Sequence, residues 1–516
     1  MPDFITLDAL VRQTARGAPA RVAVIDGDRR LSYADLDHLI DAVAAALQAD
    51  ALLPRDVIAI CAYSSIEYVA TFLGALRAGI AVAPLAPSST PADFAAMLQD
   101  SGAKLLLMDA AAATAMGRPA SGPAVLRVAL DDGGFGRPFD AWTANASTPA
   151  PVEVDPDWVF NIIYSSGTTG TPKGIVHSHQ MRWRQYGQLD PLGYGPDAVT
   201  VLSTPLYSNT TLVCFNPTFA GGGTVVLMKK FDARGFLELS QKHRATHAML
   251  VPVQYRRIMA VTDFEQFDLS SFVMKFCTSA PFAAALKADI LKRWPGGLTE
   301  VYGMTEGGGA CRLLAHEHPD KLHTVGCPMP EHDIRLIGED GKEVAPGEIG
   351  EIVGHSPTIM QGYLNQPAKT AETFWHDLSG KRFVRTGDVG RFDSDGFLTL
   401  MDRKKDMIIS GGFNIYPSDL EAVLTGHDDV LEAAVVAMPS EEWGETPVAF
   451  VVLKGGALTD AAELRAWANG RVGKFQRLAD VHLVETLPRS AIGKVLKREL
   501  RDKRLAAQAS PEHAPD

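Results

Sequence analysis

Between about residues 20 and 130, short apolar runs alternate with amphipathic stretches, the rhythm of strands separated by helices in a layered α/β domain. The spacing predicts strands over Val57–Ile60, Ile80–Val82, Lys104–Met108 and Ala124–Leu130, with helices around Ile66–Leu76 and opening near Thr90-Pro91. Ser32, followed three residues on by Asp35, predicts a capped helix start. The stretch Ser147-Thr148-Pro149-Ala150-Pro151, with Glu153, Asp155, Pro156 and Asp157 after it, predicts a surface connection between subdomains. Beyond Asp340-Gly341-Lys342, short strands punctuated by Gly347, Gly350 and Gly354 predict a small β region. The texture changes again after Asp402. Val435–Met438 and Ala449–Leu453 predict strands, Pro417–Leu424 and Ala462–Trp467 helices, and the tail from about Ala506 predicts disorder. No motif of 20 to 50 residues repeats, which excludes solenoids and propellers. The expected architecture is α/β: a large N-terminal domain over 1–402, made of layered α/β subdomains and a small β region, then a small α+β domain over 403–516.

Composition narrows the function classes. A chain of 516 residues exceeds what one core fills, so at least two domains are expected. With 46% hydrophobic and 21% charged residues it matches a globular protein, not a disordered or collagen-like one. Lys and Arg number 49 against 61 Asp and Glu, and the resulting formal charge of -12 repels a phosphate backbone, so no nucleic-acid partner is expected. Cys61, Cys214, Cys277, Cys311 and Cys327 are scattered without a CxxC pair, which points to neither a disulfide framework nor a thiolate zinc site and suits the cytoplasm. Met1-Pro2-Asp3-Phe4 lacks the basic start and apolar stretch of a signal peptide. The uncharged run Ala198–Met228 has the length of a membrane span. Pro205, Asn209, Asn216, Pro217 and Gly221-Gly222-Gly223 interrupt it, however, so no span is expected.

The strongest local signal is Tyr164-Ser165-Ser166-Gly167-Thr168-Thr169-Gly170-Thr171-Pro172-Lys173-Gly174, entered from the apolar strand Trp158–Ile163. Hydroxyls can donate to an anion, glycines let backbone amides approach it, and Lys173 adds a positive charge, so the run has the chemistry of a phosphate cradle. It is not a Walker loop: Pro172 stands where that pattern needs its second glycine, and Ile175-Val176 predicts that a strand follows. A flexible Ser/Gly linker is the competing reading, and it is weakened by the two flanking strands and the Pro-Lys-Gly ending.

At this run the sequence resembles the adenylate-forming superfamily of acyl-CoA synthetases, peptide-synthetase adenylation domains and luciferases. The superfamily's further motifs follow in order: Val301-Tyr302-Gly303-Met304-Thr305-Glu306, Arg385-Thr386-Gly387-Asp388, Asp402-Arg403-Lys404-Lys405-Asp406 with Gly411-Gly412, and Pro488-Arg489-Ser490 with Gly493-Lys494. The resemblance covers about residues 20 to 501. In texture it is similar to the aryl-CoA ligases of the 4-chlorobenzoate type, through Gly362-Tyr363-Leu364-Asn365-Gln366-Pro367 and Asp406-Met407-Ile408-Ile409-Ser410-Gly411-Gly412. It implies an AMP-forming acid:CoA ligase that uses ATP, Mg2+ and coenzyme A. The partners it implies are a small carboxylic acid and CoA, and it leaves a homodimer open.

Joining a carboxylate to the α-phosphorus of ATP brings two anions together, so such a site must neutralise charge and hold the attack in line with departing pyrophosphate. Lys173, Thr168 and Thr169 suit the leaving phosphates, and the cradle residues Ser165, Ser166, Gly167 and Gly170 line the same loop. Glu306 is the magnesium candidate, since that ion accepts one or two carboxylates and keeps its phosphate and water ligands. The resemblance implies that Thr305 faces the α-phosphate, that Tyr302 lies on the adenine with Gly303 in the same nucleotide site, and that Asp388 takes the ribose hydroxyls with Arg403 assisting. It also implies that Lys494, from a mobile terminal domain hinged at Lys405, completes adenylation. Rotation then brings Gly411-Gly412 to the site for the thiol, with Trp443, Phe475 and Arg477 contacting the CoA nucleotide. Taken alone, Tyr302 would be a core aromatic, Thr386-Gly387-Asp388 a turn, and Lys494 a solvated lysine in a basic helix with Lys497, Arg498 and Arg501. His177 and His179 are candidates by type for a thiol base or a metal, with a structural pair the better reading.

The resemblance implies an acyl pocket lined by Tyr207, Ser208, Asn209, Thr278, Ser279, Ala280, Gly303 and Met304. Two departures from the family pattern, Ser208 where histidine is usual and Thr278-Ser279 where a glycine pair is usual, predict a short, rather polar pocket and a compact aromatic or short-chain acid. The alternatives are a medium- or long-chain fatty acyl-CoA synthetase, an acyl-AMP ligase serving a separate carrier protein, and a nucleotide-binding protein without the chemistry.

Overall fold

The computed structural model describes residues 3–116, 125–144, 148–165, 172–187, 192–403, 406–410, 413–441, 443–473, 476–490 and 494–509, with the side chains of 402, 403, 413, 414 and 507–509 excepted. The chain divides into two compact units, Met1–Ile334 with Gly354–Val384, and Arg335–Val353 with Arg385–Asp516.

Two mixed sheets organise the first unit. One has eight strands in the order Gly362–Tyr363, Lys173–Ser178, Val159–Ser165, Ala81–Pro84, Val57–Cys61, Leu105–Met108, Leu126–Ala129 and Arg137–Pro138. The other has nine, in the order Cys327–Pro328, Cys311–Leu314, Gly297–Tyr302, Met274–Cys277, His247–Leu250, Val199–Leu202, Thr224–Leu227, Val22–Asp26 and Arg29–Ser32. Their central strands are parallel and read as apolar runs because both faces are covered. Ser32 and Asp35 form the expected capping box at the head of Tyr33–Ala49. The helix Ile66–Arg77, capped by Ser65, is apolar nearly all round and correspondingly buried. Its buried last residue, Arg77, pairs with Asp37 at 2.6 Å and Asp41 at 3.0 Å.

The uncharged run resolves into the strand Val199–Leu202, the helix Asn209–Ala220 and the strand Thr224–Leu227. Pro217, read as one of the interruptions of a membrane span, lies inside that helix. The ring removes one amide donor, while the next residue, Thr218, donates its hydroxyl back to the Cys214 carbonyl at 2.6 Å. Among the described residues no helix is long and apolar enough to cross a membrane.

The small β region is a five-stranded sheet of Asp333–Ile337, Gly350–His355, Arg382–Phe392 and Phe374–His376, with Leu398–Arg403 on Arg382–Phe392. In the second unit a further sheet runs Phe413–Ile415, Ile408–Ser410, Gly444–Leu453, Val430–Ser440, with Asp480–Leu483 parallel to Gly444–Leu453. Its apolar face packs on Leu420, Leu424, Leu464 and Ala468 of two helices. The helix Lys497–Ala509 runs into the tail, with Leu500 buried and Leu505 packed beside the apolar cluster of this sheet's other face.

Candidate active site

The loop rich in Ser, Thr and Gly is framed by an antiparallel hairpin in which Val159–Ser165 pairs with Lys173–Ser178, Ser165 lying opposite Lys173 and Tyr164 opposite Gly174. A strand therefore does follow the loop. Ser166, Gly167, Thr168, Thr169 and Gly170 lie outside the described residues. The outer edge of the hairpin receives Gly362–Tyr363, with Tyr363 opposite Ile175. The Tyr363 ring holds the Lys173 ammonium 5.0 Å from its centroid, and its hydroxyl donates to Glu306 Oε1 at 2.8 Å. Burial, and then Glu306, raise the Tyr363 hydroxyl well above its ordinary value, so it remains a donor.

Glu306 is placed by its own turn. Its carbonyl accepts from Met360 N at 2.9 Å, and Gly307 follows at φ +76°, where a Cβ would stand 1.9 Å from the Thr358 carbonyl. Only glycine allows so close a passage. Among the described residues no group of three or more His, Cys, Asp or Glu could hold a metal by itself. The half-buried Glu306 carboxylate fits magnesium, which takes one carboxylate and completes its shell with phosphate oxygens and water.

A buried network lies behind Thr305. His177 Nε2 lies 2.7 Å from the Thr305 carbonyl, and Nδ1 lies 2.8 Å from Arg182 Nη2 and 3.3 Å from Asn161 Nδ2. A guanidinium can only donate, so Nδ1 accepts and the proton sits on Nε2, aimed at Thr305. Arg182 also donates to Asn161 Oδ1, Gln185 Oε1 and Asn209 Oδ1, each at 2.9 Å, so its partners here are all neutral. Burial pushes its guanidinium down to about 9, which leaves it protonated at neutral pH. Burial and then Arg182 hold His177 well below the usual imidazole range. His179, whose ring meets Phe160 edge-on at 5.1 Å, is lowered by burial to about 4. Both histidines are buried and neutral, in keeping with a structural pair.

Sequence reasoning missed Arg182 and Asn161. Arg182 lies on the short helix His179–Tyr186, and nothing local marks it as buried. Tyr363 was seen only as part of a resemblance.

Around the expected acyl pocket, Ser208 caps the helix Asn209–Ala220 by accepting from Thr210 N at 3.3 Å, so its hydroxyl has a structural task. Thr278 turns its hydroxyl to the Val301 carbonyl at 2.7 Å. Ser279 adopts φ +80°, a left-handed conformation that suits the glycine usual there, and its hydroxyl pairs with Thr210 Oγ1 at 2.7 Å. Tyr207, Asn209, Ala280 and Met304 are half-buried and Gly303 is exposed. Tyr302, also half-buried, ends the strand Gly297–Tyr302 opposite Cys311.

In the second unit Asp388 lies opposite Arg403 on neighbouring strands, after Gly387 at φ +71°. Its amide donates to Thr386 Oγ1 at 3.0 Å. Lys494 stands before the helix Lys497–Ala509, not within it. It closes a turn through Ser490 N to Lys494 O at 2.8 Å and Lys494 N to Ser490 Oγ at 3.2 Å, beside a bridge between Arg489 and Val495. The reading of Lys494 as part of a basic helix is thereby corrected. Trp443 is half-buried in the turn before Gly444, which lies opposite Ser410, and Arg477 is exposed. Lys405, Gly411, Gly412 and Phe475 lie outside the described residues, the glycines following a strand whose Ser410 pairs with Phe413.

Residues 11–364 match the AMP-binding enzyme family, and residues 419–494 match the AMP-binding enzyme C-terminal domain. The chain is 34% identical over 498 residues to the feruloyl-CoA synthase of an Amycolatopsis species, covering 94% of this chain and 96% of that one. It is 31% identical over 511 residues to the fatty acid–[acyl-carrier-protein] ligase ScoC of Streptomyces coeruleorubidus, covering 96% of each. Its fold is similar to that of the ATP-bound MatB of Rhodopseudomonas palustris, with a TM-score of 0.86 at 28% identity over 97% of this chain and 99% of that one. Matching the family over most of its length, and carrying that family's C-terminal region as well, the chain belongs to the AMP-binding enzymes and is an ATP-dependent, AMP-forming acid–CoA ligase.

Proposed function

We propose that this ligase activates a compact, aromatic carboxylic acid. The carboxylate oxygen attacks the α-phosphorus of ATP, the bond to the β-phosphate oxygen breaks and pyrophosphate leaves. The CoA thiol, losing its proton, then attacks the acyl carbonyl of the acyl-AMP and AMP departs. In this reading Lys173 and Ser165, with Ser166, Thr168 and Thr169, meet the departing phosphates. Thr305, its carbonyl held by His177, presents its hydroxyl to the α-phosphate. Magnesium, when bound, neutralises the phosphate oxygens on which charge develops, and Glu306 would hold it. Tyr302 supports the adenine, while Asp388 and Arg403 take the ribose. Lys494 supplies the last positive charge for adenylation, and 403–516 then turns about Lys405 to present Gly411-Gly412, Trp443, Phe475 and Arg477 to CoA. The enzyme works in the cytoplasm, where its thiols stay reduced.

The observation that carries the choice of acid is the Thr278-Ser279 turn. A left-handed non-glycine residue costs on the order of 1 kcal/mol, and the hydroxyl pair between Ser279 and Thr210 offsets it by tying the turn to the first turn of the helix Asn209–Ala220. Side chains and hydroxyls at that point suit a short pocket with polar contacts. The name of the feruloyl-CoA synthase relative supports an aromatic acid.

The test is a panel of hydroxycinnamates, benzoates, butyrate and palmitate with ATP, magnesium and CoA, the thioesters being read by mass spectrometry. Aromatic acids are expected to give the highest kcat/KM, and palmitate as the best substrate would overturn the reading. The name of the carrier-protein ligase relative raises a second acceptor. With CoA as acceptor, adding it must accelerate AMP release.

A further inference from the structure

We infer that Tyr363 is a positioning residue for the triphosphate site, its ring face holding the Lys173 ammonium and its hydroxyl holding one Glu306 oxygen, so that the two opposite charges stay separated and aimed. The inference rests on the reading that Lys173 meets phosphate and Glu306 a divalent cation. Lys173 and Glu306 come from distant parts of the sequence, yet each is linked to the same aromatic side chain, one at 5.0 Å and the other at 2.8 Å. Among the described residues the two form no ion pair with each other. A bare lysine and glutamate serving one site would attract each other, and a nucleotide with its cation would have to break such a pair before using either charge. An interposed tyrosine removes the competition. The ring offers the cation its negative face, and the hydroxyl, a donor, satisfies one carboxylate oxygen while the remaining acceptor sites of Glu306 stay available.

Tyr363 is anchored well enough for this work. Its strand lies opposite Ile175, two residues beyond Lys173, and its amide donates to Thr370 Oγ1 at 2.9 Å. The ring packs in a small cluster with Ile175 and Met360, and Met360 N is the group that holds the Glu306 carbonyl. One side chain thus registers the cradle hairpin against the Glu306 turn. A purely structural tyrosine would use its ring in the cluster and leave its hydroxyl to water. Here the hydroxyl lies on a carboxylate, which the polarity of the site explains and the packing does not.

The test separates hydroxyl from ring in the full-length enzyme. Binding of Mn2+ is followed by electron paramagnetic resonance with a non-hydrolysable ATP analogue, and metal-free binding of the analogue by calorimetry. Tyr363→Phe is expected to weaken Mn2+ binding about tenfold and leave metal-free analogue binding unchanged, because it removes one hydrogen bond to a charged group. Tyr363→Leu is expected to weaken metal-free binding as well, by several-fold, because it removes the cation's partner face. In ATP–pyrophosphate exchange, excess Mg2+ should restore the kcat of Tyr363→Phe, which a merely structural defect would not allow. Wild-type Mn2+ affinity in Tyr363→Phe overturns the inference, and so does metal-free binding equal in the Phe and Leu variants. If the Leu variant fails to fold, the Phe variant alone decides. Glu306→Gln and Lys173→Ala test the underlying reading. If Glu306→Gln leaves Mn2+ binding intact or Lys173→Ala leaves analogue binding intact, that reading fails. If both weaken their ligands while Tyr363→Phe does not, only the inference about Tyr363 fails.

Discussion

The buried wedge behind Thr305 and the turn that carries Lys494 position their charges by opposite means. Arg182 is fully buried among neutral partners, and its hydrogen bonds reach Asn161, Gln185, His177 and Asn209 at once. Lys494 is placed through its backbone, by Ser490 and by the Arg489–Val495 bridge, while Arg489 reaches Glu432 at 2.7 Å and Lys497 pairs with Glu421 at 2.8 Å. In the wedge, position and stability reside in the same bonds. At the turn the bonds to Ser490 run through the backbone of Lys494. A group proposed to act in one half-reaction and withdraw in the other is better carried on the second kind of mount.

The largest expected effect breaks the comparison at the turn. Lys494→Ala should lower adenylation by about 10³-fold, on the order of 4 kcal/mol of lost transition-state stabilisation, with the fold unchanged. Pyrophosphate exchange and far-UV circular dichroism measure the two halves of that statement. Thioester formation from supplied acyl-AMP should be largely spared, and equal loss of both steps would sink the two-conformation account.

In the wedge the same kind of substitution should strike the fold. Arg182→Met leaves Asn161, His177 and Asn209 short of a donor in a dry interior, at a cost of roughly 3 kcal/mol. Urea unfolding should show it as a lower midpoint, with Arg182→Lys recovering only part because it lacks the planar fork. An unchanged midpoint would mean that water replaces the guanidinium and that the wedge is not stabilised as described.

The pH dependence sharpens the comparison further. Burial lowers His179 in the folded state to about 4, against an ordinary value of 6.5. Between those values the unfolded chain binds the extra proton, so the stability contribution is complete above 6.5 and is lost as the pH falls towards 4. The span corresponds to on the order of 3 kcal/mol, with His177 shifted in the same direction. Thermal unfolding of His179→Phe across this range should lose less stability than the parent, and parallel curves would show that the acid sensitivity arises elsewhere.

Much of this protein was legible without coordinates. The Ser32–Asp35 cap, the buried helix after Ser65 and the strands on either side of the Ser/Thr/Gly run follow from local residue patterns, because caps and apolar periodicity act over three or four positions. The order of the five motifs identified the chemistry. Local patterns said less about how elements continue and where they end. Pro217 is tolerated within a helix, Ala506–Ala509 continue one, and Lys494 precedes one. Boundaries of this kind depend on what packs against them.

By itself the sequence determined which groups are available: a hydroxyl-rich loop ending in Lys173, the Thr305-Glu306 pair, Asp388, and a lysine near the C-terminus. Tertiary structure alone decided how they are held. The protonated nitrogen of His177 follows from a guanidinium that only folding brings there, and the conformation of Ser279 from a hydroxyl 69 positions away. Tyr363 touches both Lys173 and Glu306 because a two-residue strand adds to the edge of the hairpin. The physical reason is that burial and electrostatics are set by neighbours in space, and a linear pattern records only neighbours along the chain.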